Sequence, residues 1–239
     1  MSSKQSMTDR TRQVAVVTVE AGEVQERSDA LATQISVTIC VNGEDLITVS
    51  CSPDNTLQLA YGYLITQGLL MWDQKPPFSE LNNGVIHISL DEDALPQKPL
   101  PVRSDYTATA DTVLKLVSEF SVAGEVFGET GGTHSSALGV SGTIKCFVED
   151  VSRFASLEKT VGNAYIEGID VQNSCLILSS RVNSTMIEKA TRAGIPAVAA
   201  VSAPTAQAAE EAQRLGICLC GFVRGERMNV YSCRWRLGL

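Results

Sequence analysis

Residues 175–231 read CLILSSRVNSTMIEKATRAGIPAVAAVSAPTAQAAEEAQRLGICLCGFVRGERMNVY, and this stretch decides the fold. Apolar runs at 175–178, 197–201 and 217–223 have the length of buried strands. Between them, residues 184–193 and 204–215 have helical patterns. The first is closed by Gly194–Ile195–Pro196, and the second is opened by Pro204 near its first turn. Residues 228–231 supply a last strand. Alternating strands and helices point to a three-layer α/β arrangement.

Working outward, residues 112–120 are helical in pattern, and 137–140 pairs with 145–148 as a hairpin across Ser141–Gly142. Phe154, Leu157, Val161 and Ala164 mark one helix face, with Gly168 as its cap. The first half reads as antiparallel strands at 13–19, 34–41 and 46–51, rich in Val, Ile and Thr. Asn42–Gly43 is a two-residue hairpin signal. Pro53–Asp54–Asn55 opens a helix carrying Leu57, Ala60, Tyr61 and Leu64, and Gly68 ends it. Residues 84–90 form another strand, and 91–103, with three prolines, form a linker or loop. The expected organisation is a disordered tail at 1–12, a small, mainly antiparallel domain with one helix at 13–103, and an α/β/α domain at 104–239. The fold class is α/β, or α+β overall.

The chain has 239 residues, is 44% hydrophobic and carries a formal charge of −8. That balance argues against a broad grip on nucleic acid or an anionic membrane. No apolar run approaches the roughly 20 residues that span a bilayer, and the polar start lacks a secretory core. A soluble cytoplasmic protein is the expectation. The seven cysteines are odd in number, scattered, and free of any Cys-x-x-Cys, so reduced core thiols are expected. Cys218 and Cys220 would face one side of a strand.

Three polar clusters end the strands of the second half. They are Ser179–Ser180–Arg181, Ser202–Ala203–Pro204–Thr205 and Arg224–Gly225–Glu226–Arg227. In open α/β sheets ligands bind beyond the carboxyl ends of strands, where helix N-termini favour anions. Three arginines and several hydroxyls there suit phosphates or a nucleotide, although helix capping and solvent-facing turns are the plainer use of each cluster alone. A fourth cluster is Thr130–Gly131–Gly132–Thr133–His134, whose glycines permit close backbone approach and whose histidine can serve acid–base chemistry. Glu149–Asp150 close a strand and could contact a ligand or cation. His87, inside an apolar strand, is read as structural.

These residues resemble the FdhD/NarQ family in order and spacing. The resemblance rests on Thr130–His134, Glu149–Asp150–Val151, Leu178–Arg181, Ala193–Pro196, Val201–Thr205, Gly221–Arg224 and Asn229–Tyr231, and on Val41–Gly43 and Pro53–Gly68 in the first half. It implies a cytidine-deaminase-like carboxy-terminal domain and a homodimer. It also implies an accessory role in maturing a molybdenum-dependent formate dehydrogenase, with sulfur passed from a cysteine desulfurase to the bis-guanine-dinucleotide molybdenum cofactor (Mo-bis-MGD). Phe222, Val223, Arg224, Gly225, Glu226 and Arg227 would form one cofactor-binding segment. Thr130–His134, Ser179–Arg181, Ser202 and Thr205 would line the rest. Arg224 and Arg227 would neutralise the phosphates of Mo-bis-MGD or a GDP-like nucleotide, Ser179, Ser180 and Ser202 would donate hydrogen bonds, and His134 would sit beside the reactive end.

Two departures stand out. The family's sulfur-carrying Cys-x-x-Cys loop should fall at residues 102–110, which read VRSDYTATA and hold no cysteine; a hydroxyl cannot replace a persulfide sulfur. After Asp150–Val151, the chain has Ser152–Arg153–Phe154–Ala155 in place of the family's Gly-Arg-His-Asn. Zinc-dependent deamination, which the fold type raises, lacks its His-x-Glu and Cys-x-x-Cys motifs. Two readings stand: a cofactor-binding accessory protein in which the usual sulfur route is lost, or a repurposed, non-catalytic binding protein on the same scaffold.

Overall fold

The computed structural model describes residues 10–91 and 96–239. Asn42 and Gly43 both take positive φ, 50° and 87°, as a two-residue type I′ turn requires. They join β3 (Ile35–Val41) to β4 (Glu44–Cys51). β3 pairs in parallel with β6 (Val85–Ile88), which pairs antiparallel with β5 (Ser79–Asn82), giving a four-stranded sheet in the order β4-β3-β6-β5. Val37, Ile39, Ile86 and Ile88 turn one face of it inward. Helix α1 (Thr56–Gln67) follows β4 and ends at Gly68, whose φ of 75° is the left-handed stop expected of that glycine.

The second sheet has the order β12-β11-β10-β9-β7-β8. Its strands are β7 (His134–Val140), β8 (Thr143–Asp150), β9 (Ser174–Leu178), β10 (Ala197–Ala200), β11 (Cys218–Arg224) and β12 (Arg227–Val230). β9, β10 and β11 are parallel, and β7, β8 and β12 are antiparallel to their neighbours. Helix α2 (Ala110–Ser121) covers one face, over Ala137, Cys175, Ile177, Ala199, Cys218 and Cys220. The other face packs on α4 (Arg153–Glu167), α5 (Ser184–Arg192) and α6 (Ala206–Leu215). A short helix, α3 (Glu125–Thr130), precedes β7. No helix among the described residues is long and apolar enough to cross a membrane.

α4 is buried nearly all round because α1 lies against its outer side. The two helices touch through their backbones. A Cβ on Gly62 would fall 1.7 Å from the Glu158 carbonyl oxygen, and one on Gly162 would fall 1.9 Å from that of Gln58. Each glycine therefore admits the other helix, and the approach carries one apolar core from the four-stranded sheet through α1 and α4 to the six-stranded sheet.

Several elements depart from the sequence reading. Residues 23–32 form β2 (Glu23–Ala32), paired in perfect register with β1 (Thr11–Glu20). Its sequence, EVQERSDALA, shows no alternation because almost none of it is buried. β5 and α3 escaped notice for the same reason. Pro204 stands before the N-cap Thr205 and not in the first turn of α6. The expected tail at 1–12 is shorter at its inner end, since Thr11 and Arg12 begin β1 and Arg10 pairs with Asp54 and Glu149; residues 1–9 lie outside the described residues. So do residues 92–95 of the expected linker. His87 points to the exposed face of β6.

Overpacking of a close crossing costs about 3 kcal/mol or more when backbone must move. Gly62→Ala and Gly162→Ala should each lower the unfolding free energy by that amount, read as a lower urea midpoint. Gly128→Ala, which meets nothing within 4 Å, should leave it unchanged or slightly raised. Comparing the three denaturation curves checks the crossing.

Candidate functional site

Because β9, β10 and β11 are parallel, their carboxyl ends share one edge of the sheet. The antiparallel β7 and β8 bring the start of β7 and the end of β8 to the same edge. Along it, from β11 to β8, lie Arg224, Ser202, Ser179–Ser180, His134 and Asp150. The edge is knitted beyond the strands themselves. Val201 N–H donates to Leu178 O, Val182 N–H to Ala203 O, and Phe222 N–H to Ser202 O. The sequence clusters thus meet, as parallel connectivity requires.

Not every expected residue serves the surface. Phe222 has a φ of 52° at a bulge between Gly221 and Arg224, and its ring is exposed. Gly221 is needed there, because a Cβ would lie 2.7 Å from Pro204 Cδ. Arg224 donates from Nε to Val201 O at 3.1 Å, which fixes its guanidinium along the edge. Gly225 and Glu226 are exposed in the following turn, Arg227 at the start of β12, and Arg181 after β9. Val223, by contrast, is buried beneath α2 and is core. Thr205 caps α6 by accepting Ala208 N–H, the plainer use of that hydroxyl. Ser179 Oγ accepts Ser135 N–H at 2.9 Å, and the buried Ser180 donates to Arg181 O. Thr130 donates to Val126 O and accepts Gly132 N–H, while Gly131, with φ 63°, ends α3. Gly132 receives Ala32 at the base of β2. Thr133 is buried and donates to Glu149.

The two acids are structural and not free ligand contacts. Glu149 accepts the N–H groups of Val126 and Phe127 at 3.0 and 2.8 Å. Asp150, fully buried, meets Lys159 Nζ at 2.6 Å and accepts the N–H groups of Ser52 and Ser152. Lys159, also fully buried, donates to Ser52 O and lies 3.8 Å from Asp54. Sequence reasoning missed Ser52, Asp54 and Lys159. The only signal was a lysine in the midst of a buried helix, where a charge must be paired. Burial pushes the Asp150 carboxyl up, opposed by the Lys159 charge.

His134 lies across from Asp150 in the β7/β8 register. Partial burial lowers its pKa below the ordinary histidine value and the Arg153 charge lowers it further, while Asp150 acts the other way. The imidazole is therefore neutral at neutral pH. Arg153 stacks over Phe154 at 5.1 Å, so Phe154 backs the arginine and packs on the core. Two residues inward on the His134 face, Ser136 Oγ is buried without a hydrogen-bond partner among the described residues. The edge offers an anion several guanidinium groups, an exposed ring and a neutral imidazole. No metal-holding cluster is found among the described residues.

Residues 102–110 lie on the opposite edge. Val102 N–H donates to Leu215 O, and Ser104 Oγ–H to Gln172 O, both just before strand starts. The buried Arg236 donates to Ser104 O and Tyr106 O, and its own carbonyl accepts Ala108 N–H. Six of the seven cysteines are buried and Cys146 is half-buried. Burial pushes the Cys51 thiol up to about 11 and Cys146 up to about 12, and it raises Cys233 as well.

The sequence model of the FdhD/NarQ family matches residues 79–238. Among curated proteins, the chain is 27% identical over 254 residues to "Sulfur carrier protein FdhD" of Bacillus licheniformis, covering 90% of this chain and 93% of that one. It is 30% identical to the protein of the same name from Methanothermobacter thermautotrophicus, covering 85% and 90%. Among solved structures it resembles one from Desulfotalea psychrophila, described as a formate dehydrogenase accessory protein. The TM-score is 0.83 at 22% identity, over 95% of this chain and 99% of that one, a likeness of fold.

The His134 environment can be read directly, since the chain has only two histidines. Arg153→Ala should move the His134 pKa up toward the ordinary value, because a neighbouring positive charge is removed. An NMR titration of the imidazole resonances checks the direction.

Proposed function

The chain belongs to the FdhD/NarQ family, and from that premise we propose that it is an accessory protein in the maturation of a formate dehydrogenase-type molybdoenzyme. In this reading its strand-end edge holds the bis-guanine-dinucleotide molybdenum cofactor as cargo. The observation that carries the reading is the convergence of Arg224, Ser202, Ser179 and His134 on one edge of the six-stranded sheet.

The residues present fit such a cargo. Exposed Arg181, Arg224 and Arg227 match the charge of diphosphates, by bidentate hydrogen bonding that arginine favours. The exposed Phe222 ring offers a face to a base. His134, neutral beside Arg153, can donate or accept one hydrogen bond without adding charge. Seated in its enzyme, the molybdenum centre supplies the redox chemistry; this chain binds and orients the guanine dinucleotide part. The reading includes a cytidine-deaminase-like layering of the larger sheet and a homodimer.

Sulfur loading from a cysteine desulfurase does not run through residues 102–110 in this reading. That segment has no thiol and is tied down by Arg236. Neither Cys146 nor Cys233 offers a ready replacement carrier, because burial holds both thiols protonated and makes them poor nucleophiles.

Calorimetric titration with GDP and GMP tests the proposal. GDP should bind more tightly than GMP, and Arg224→Ala/Arg227→Ala should weaken GDP by about tenfold or more, in line with ~1.5–3 kcal/mol for a charged hydrogen bond. If neither nucleotide binds the wild-type chain, the edge is not a guanine-nucleotide site, and the scaffold serves another partner.

A further inference from the structure

β1 and β2 form a two-stranded ribbon with ten aligned residue pairs and no bulge. Among the described residues no third strand joins it. Its base is held, with Ala30 buried and Ala32 against Gly132. From base to turn the ribbon is about 34 Å long at ~3.4 Å per residue, and its outer part is exposed. Val17, Val19 and Val24 are 61%, 67% and 68% exposed there. A lone two-stranded hairpin is marginal in water, so a ribbon of this length calls for another surface.

The two long edges are not alike. β2 presents Glu23, Glu26, Arg27 and Asp29, the kind of charge that keeps an edge strand from pairing. β1 runs Val14–Ala15–Val16–Val17–Thr18–Val19 without a charge, a proline or a bulge. The turn fixes which of its backbone groups are free. Ala21 and Gly22 take positive φ, 52° and 88°, so Glu20 and Glu23 close a two-residue turn as a hydrogen-bonded pair. By alternation, the N–H and C=O groups of Gln13, Ala15, Val17 and Val19 then face away from β2.

We propose that the β1 edge docks antiparallel on β1 of a second copy of this chain, making a four-stranded sheet in the order β2-β1-β1-β2 about a two-fold axis at Val16. Charge complementarity selects this occupant and this register. With Val16 opposite Val16 of the partner subunit, Ala15 pairs with the partner's Val17 and Gln13 with the partner's Val19, so the outward backbone groups meet one another. The same register sets Arg12 opposite the partner's Glu20 at both ends, where opposite charges add to a cross-strand pair. One surface is thus complementary to itself, as an isologous interface must be. The proposal rests on the homodimer part of the reading above and not on the cofactor.

Size-exclusion chromatography with light scattering on the full chain, together with cross-linking, tests the proposal. The wild type should be a dimer at micromolar concentration. Arg12→Glu should raise the dimer dissociation constant about tenfold, and Arg12→Glu/Glu20→Arg should restore it. Val16 sits at a non-hydrogen-bonded position, where facing Cα atoms approach to about 4.5 Å, within disulfide range. Val16→Cys should therefore cross-link into a dimer under mild oxidation, whereas Val17→Cys and the wild type should not. A monomeric wild type would overturn both this proposal and the homodimer reading. A dimer that ignores Arg12→Glu and leaves Val16→Cys uncross-linked would overturn the ribbon interface alone. GDP titration of the same variants should be unchanged, which keeps the cofactor reading separate.

Discussion

The contact of α1 with α4 through Gly62 and Gly162 is the constraint on which the rest of the architecture depends. A buried sheet face needs a cover; α1 lies over the smaller sheet, and α4, with α5 and α6, covers one face of the larger. Because the helices meet at backbone distance, the two covers become a single layer and the two sheets share one core. Any side chain at either glycine would separate them, and α4 would lose the enclosure that keeps it buried all round.

That enclosure explains the ionic groups in the interior. Glu158 and Lys159 are adjacent on α4 and both are buried, so each needs a partner from another element. Glu158 meets Lys189 of α5 at 2.6 Å, and Lys189 also reaches Thr66 and the Tyr63 ring of α1. Lys159 joins Asp150 at the end of β8 to Ser52 at the end of β4. Buried pairs of this kind are weak evidence for added stability, but losing one partner strands the other charge. Their effect here is positional. They tie the end of the smaller sheet to the edge of the larger one and hold the start of α4, with Arg153, beside His134.

The strand-end edge therefore has two layers of residues. Ser52, Thr133, Glu149, Asp150 and Lys159 set its shape from below, whereas Arg153, Arg181, Phe222, Arg224 and Arg227 form its outer layer. The ribbon is rooted at the same edge, through Ala32 on Gly132 and Arg10 on Glu149. Residues 102–110, held by Arg236, lie on the far side of the sheet. The arginine-bearing edge and the pinned strap thus occupy opposite edges.

The sequence by itself determined the elements whose signals are local: the Asn42–Gly43 hairpin, the helix stopped by Gly68, and the alternation that makes β9, β10 and β11 parallel. From that alternation it also fixed that the clusters after these strands share an edge, because parallel strands end on one side. It did not reveal β2, whose polar residues carry no pattern when neither face is buried. It grouped Val223, whose side chain is core, with the exposed residues around it, and left open that Glu149 and Asp150 contact a ligand. Only the tertiary structure decided which side chains of the edge face outward and which are spent on the protein's own N–H groups. The Gly62–Gly162 crossing and the Lys159–Asp150 pair join residues far apart in the chain, and their meaning lies in a distance between backbones that no local pattern of residues encodes.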